Sequence, residues 1–188
     1  MSRFAPAFFV ASLLLAGTAA AYPVASGTSE LRPLLGVTSA VDNQVTQVQV
    51  GLDYGYSWNG PWSFVLGGWA GFGKDFIGAE VHAGVKYRFL RVHPRMAPFV
   101  AGGGGFSVGF QSFAPPNADG SAPAAEKPKT DTHTLTGFGV RFGGGIDFFA
   151  TERIVPGVQM MFDLGPSFTP SFGFQGSVQI TFGCSFLL

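Results

Sequence analysis

The residues of this sequence that could do chemistry are few and regularly spaced. Glu80, His82, Lys86 and Arg88 occupy alternate positions of one short stretch, while Asp53, Arg141, Asp147 and Asp163 each stand between apolar or aromatic neighbours. A histidine beside a carboxylate can work as a general base, and a carboxylate beside arginine can form an ion pair. His82, set between Glu80 and Gly84, reads as a hydrogen-bonded interior residue rather than a base. His133 lies between Thr132 and Thr134, with no serine or carboxylate at a spacing diagnostic of catalysis. The single Cys184 cannot form an intrachain disulfide. No catalytic residue, metal site or cofactor is assigned.

These residues must be positioned by the element that contains them. From Phe76 to Phe89, Ile77, Ala79, Val81, Ala83, Val85, Tyr87 and Phe89 share one parity, and Gly78, Glu80, His82, Gly84, Lys86 and Arg88 share the other. A period of two over such a length predicts a long β-strand with two different faces. The polar face is interleaved with glycine, and the apolar face is unbroken and ends on aromatics. That combination fits a strand with lipid on one side and a packed polar interior on the other.

Seven further segments alternate in the same way: 30–41, 44–57, 62–73, 96–111, 132–149, 154–165 and 172–186. Asn59-Gly60 predicts a tight turn at Trp58–Pro61. Gly102 to Gly105 fall inside the 96–111 segment, where they would let a small barrel bend and let bulky neighbours fill its interior. Residues 112–131, rich in proline and polar side chains, read as a long loop. Residues 1–21 read as a signal peptide, with Arg3, an apolar run and Ala19-Ala20-Ala21 before Tyr22, leaving 22–188 as the barrel domain.

Composition points the same way. Only 12% of residues are charged, about half the ordinary share, while 28 are glycine, so a water-facing surface is disfavoured. Past the leader no apolar run is long enough for a membrane helix, which leaves a closed sheet as the spanning structure. A net charge of zero and scattered basic residues argue against nucleic acid as a partner.

Every charge within these segments, including Glu30 and Arg32, has the parity opposite to the apolar stripe. Asp53, Glu80, His82, Lys86, Arg88, Arg141, Asp147 and Asp163 are therefore the candidate interior ion network, with Lys86, Arg88 and Arg141 as partners for Asp53, Asp147 or Glu80. Tyr54, Tyr56, Trp58, Trp62, Tyr87, Phe89, Phe148 and Phe186 would form an aromatic girdle at the end holding the termini. Phe72, Phe76, Phe110 and Phe172 would collect at the other end.

By this pattern the chain resembles the small eight-stranded outer-membrane proteins of the OmpA-barrel and OmpX type, over Glu30 to Leu188. The resemblance implies an all-β, antiparallel, up-and-down transmembrane barrel in the bacterial outer membrane. Its surroundings would be outer-membrane lipid and lipopolysaccharide, and loop 112–131 would face an extracellular ligand. It also implies that Phe182 and Phe186 form the last-strand signal for the barrel-assembly machinery, although Leu187-Leu188 follow them. A structural or surface-interaction role is expected. The alternatives are a lipid A-modifying outer-membrane enzyme, a narrow channel, or a soluble lipocalin-like barrel with the faces reversed.

Overall fold

The alternation becomes eight strands: β1 (Ser29–Ala40), β2 (Thr46–Asn59), β3 (Trp62–Phe72), β4 (Phe76–Arg88), β5 (Met96–Phe113), β6 (Asp131–Phe148), β7 (Ile154–Ser167) and β8 (Gly173–Leu187). The computed structural model describes residues 24–40, 46–74, 76–113, 131–168 and 172–188. The expected leader, the Asp42-Asn43 connection and most of the long loop lie outside the described residues. Each strand pairs antiparallel with its sequence neighbours, and β1 also pairs with β8, so the sheet closes. Closure removes the exposed edge of an open sheet and satisfies backbone groups from strand to strand.

The pleat turns the two parities into an inside and an outside. Leu35, Leu66, Val81, Val140 and Phe182 are exposed on the outer surface, whereas Arg32, Gln49, Arg88, Asp147 and Gln179 are buried. This is the reverse of a soluble domain, in which burial favours apolar side chains. We call the end where β1 begins and β8 finishes the terminal end, and the opposite one the loop end.

Two local expectations are corrected. β2 continues through Trp58 to Asn59, which pairs with Trp62 across a two-residue Gly60-Pro61 loop. Gly60 supplies the left-handed backbone there, at φ 50°, and a register shift between Ser57 and Asn59 absorbs the extra residue. Phe76 does not join an outer ring of aromatics. Having the parity of Gly78 and Glu80, it lines the interior, with its ring over the vacant Cβ positions of Gly78 and Gly109.

The terminal end is closed by Val24, Val155 and Leu187, with Phe149 packed against them. Gly27 N–H donates to the Ser57 carbonyl at 2.7 Å, and Ser57 N–H donates to the Thr28 carbonyl at 2.8 Å. These bonds hold the segment before β1 against the end of β2.

Candidate functional site: two ionic layers and a loop-end cavity

Alternation alone places charges inside; the register sorts them by height. Near the terminal end, β1, β4 and β6 bring Glu30, Arg32, Lys86, Arg88 and Asp147 together. Asp147, fully buried, accepts from Arg32 Nη1 at 3.0 Å and from Arg88 Nε at 2.8 Å, and Lys86 Nζ lies 3.7 Å away. Glu30 accepts from Arg88 Nη2 at 2.5 Å and pairs with Lys86 Nζ at 2.8 Å. Arg88 Nη1 donates to Ser63 Oγ at 2.9 Å, and Ser63 shares a 2.8 Å bond with Ser57. The ring of Phe99 lies 5.6 Å from the Arg32 guanidinium carbon and 5.1 Å from Lys86 Nζ. Its quadrupole adds a further favourable contact for both cations.

The second layer is centred on Arg141. Its Nη1 donates to Glu80 Oε1 at 3.0 Å and lies 3.4 Å from His82 Nδ1, and its Nη2 donates to Gln179 Oε1. His82 Nδ1 also lies 3.6 Å from Glu80 Oε1, and Nε2 is 3.1 Å from Asp53 Oδ1 on the other side of the ring. Both ring nitrogens are thereby engaged. Gln179 Nε2 and Thr38 Oγ1 donate to Gln49 Oε1 at 2.8 and 2.5 Å, carrying the layer across β8, β1 and β2. Val65, Phe99 and Met161 wall a gap of only about 40 Å³ between the two layers.

Inward glycines provide the space for these side chains. A Cβ on Gly67 would stand 2.8 Å from His82 Nε2, and one on Gly157 would stand 2.7 Å from both Arg32 Nη2 and Asp147 Oδ1. The glycine-rich polar face and the ionic filling are thus two aspects of one packing solution, since buried charges persist only when paired and hydrogen-bonded.

Towards the loop end the filling stops. Inward Gly105, Gly137, Gly139 and Gly165 line a cavity of about 370 Å³, so the expectation that side chains fill the whole interior is corrected there. Trp69 and Phe76 stand in its wall, and Glu80 and Asp163 line its inner part. Asp163 is the less compensated carboxylate. Arg141 Nε lies 3.8 Å away, and Ser177 Oγ donates at 3.4 Å.

The structure therefore divides the candidate network. Lys86, Arg88 and Asp147 lie in the first layer, whereas Asp53, Glu80, His82, Arg141 and Asp163 lie in or beside the second. Glu30 and Arg32, which parity had turned inward, join the first layer. Ser57, Ser63, Thr38, Gln49, Gln179 and Phe99 were not singled out by sequence; their inward parity was the available signal. On the outside, Trp58 and Trp62 stack at 6.3 Å, Trp62 meets Tyr87 at 4.7 Å, and Tyr87 meets Phe89 edge-on at 5.0 Å. Tyr54, Tyr56 and Phe186 are exposed at the same end, and Phe148 is half-buried. Phe182 is exposed higher on β8, opposite Leu35. His133 pairs with Gln111 through the backbone, and its side chain lies outside the described residues.

No protein-family model and no curated protein sequence matches the chain. Solved structures do. Neisserial surface protein A is similar at a TM-score of 0.62 and 13% identity, over 85% of this chain and 95% of that one. The outer membrane protein OprG from Pseudomonas aeruginosa gives 0.57 and 9%, over 89% and 99%. Ail, the attachment invasion locus protein of Yersinia pestis, gives 0.55 and 12%, over 87% and 99%. Such identities speak for the fold alone. That fold is the closed, antiparallel, up-and-down eight-stranded barrel of small bacterial outer-membrane proteins.

Proposed function

We propose that this protein is a non-enzymatic, non-conducting barrel of the bacterial outer membrane, with a structural or surface-contact role. The observation that carries this reading is the pairing of an apolar exterior with an interior blocked by ionic layers. Leu31, Leu52, Leu66, Val100, Phe142 and Ile180 are exposed on different strands, where only lipid would cover so much apolar surface. Arg88 and Asp147 are tied across the lumen, and an ion crossing it would have to break those pairs. His82, with both nitrogens engaged, has no free basic position to offer a substrate, which speaks against a lipid A-modifying enzyme.

In this reading the termini face the periplasm and the 112–131 loop faces outward, towards lipopolysaccharide and extracellular ligands. Phe182 and Phe186 present the assembly signal. Two of the structural neighbours carry surface roles in their names, a surface protein and an attachment invasion locus protein. The protein is expected to co-sediment with outer membranes, to require detergent for extraction, and to give no conductance steps in planar bilayers. Release without detergent would favour the lipocalin-like alternative, and reproducible steps would favour a channel.

A further inference from the structure

We infer that the loop-end cavity is a binding site for a small organic cation with an apolar body. Its volume of about 370 Å³ falls in the range of small-molecule sites. Its charged lining consists of Glu80 and Asp163 alone among the described residues. Their shared counter-charge, Arg141, lies beneath them in the second layer, at 3.0 Å from Glu80 but 3.8 Å from Asp163. Two carboxylates with one guanidinium between them leave a negative floor, and the Asp163 side chain is 17% exposed. An ammonium group placed against Asp163 supplies the missing charge through a charge-assisted hydrogen bond.

The wall above suits the rest of such a molecule. Trp69 and Phe76 offer aromatic surface for an apolar body, and aromatic faces attract cations. Gln47 is only 6% exposed, and its Oε1 has no hydrogen-bond partner among the described residues; nor does Trp69 Nε1. Both atoms are buried, and since unsatisfied buried polar groups are costly, a rotation of either side chain towards the cavity would let a ligand group satisfy it. The inward glycines keep the space open, as a side chain at Gly173 would show. Its Cβ would meet only Ser167 Oγ, at an ordinary 3.4 Å, and the rest would enter the cavity.

Isothermal titration of the full chain refolded in non-ionic detergent tests this, with 2-phenylethylammonium as the probe and 2-phenylethanol as its uncharged isostere. The ammonium is expected to bind saturably, and the alcohol about tenfold more weakly or worse. Asp163→Asn, which keeps the shape, is expected to weaken ammonium binding by a similar factor. Gly173→Leu is expected to weaken both ligands by filling the cavity, and it supplies the decisive variant if Asp163→Asn fails to fold. Equal binding of ammonium and alcohol, affinity unchanged in a folded variant, or no saturable heat for the wild type would each overturn the inference.

Discussion

Asp147 is fully buried and touched by Arg32, Arg88 and Lys86, so its carboxylate is the hub of the first layer. Removing that charge leaves three cations facing Glu30 alone. Breaking a buried pair typically costs about 3–5 kcal/mol, because the abandoned charge cannot recover its hydration. Asp147→Asn is therefore expected to lower the unfolding free energy, read from urea titration of the barrel folded in lipid vesicles, by a margin of that order. Arg141 plays the corresponding part in the second layer, where Glu80, His82 and Gln179 all depend on it. Arg141→Ala is expected to lower the thermal midpoint markedly, and an unchanged midpoint would remove Arg141 from any structural network. A further contrast follows between the layers. Loss of Asp147 strands positive charge near the terminal end, whereas loss of Arg141 strands negative charge beneath the cavity.

At the scale of the strand, the outer face should tolerate apolar exchange and reject charge. Leu52 faces outward midway along β2, between Pro33 of β1 and Gly68 of β3. An arginine at the bilayer midplane costs about 2–4 kcal/mol, so Leu52→Arg should reduce the folded fraction in vesicles far more than Leu52→Met does. The strands were legible because alternation has a strict period. A one-residue slip would have turned Lys86 and Arg88 outward, and the predicted boundaries differ from the observed ones by a residue or two. Sequence did not reveal which charges share a layer. That depends on register between strands far apart in the chain, as between Arg32 and Asp147 or Glu80 and Arg141. The cavity was illegible for a related reason. Gly105 and Gly173 look alike in sequence, yet Glu80 Oε1 lies 2.9 Å from where a Cβ of Gly105 would be, while a Cβ of Gly173 would meet only Ser167 Oγ, at 3.4 Å.

At the scale of the molecule, the barrel is a soluble domain turned inside out. Paired charges and amides fill its lower and middle parts, an apolar cluster of Val24, Val155 and Leu187 closes the terminal end, and apolar side chains cover the outside. The distribution of burial makes sense only if something apolar surrounds the sheet, and this is the central claim. Tryptophan quenching by lipids brominated in their acyl chains tests it most directly, because Trp62 is exposed outside and Trp69 lines the interior cavity. Trp58→Phe with Trp69→Phe leaves Trp62 as the reporter, and Trp58→Phe with Trp62→Phe leaves Trp69. Refolded into brominated vesicles, the Trp62 reporter should lose much of its fluorescence and the Trp69 reporter should keep most of it. Quenching of Trp69 but not Trp62, or of neither because the protein stays in water, would contradict the assignment of the outer face to lipid.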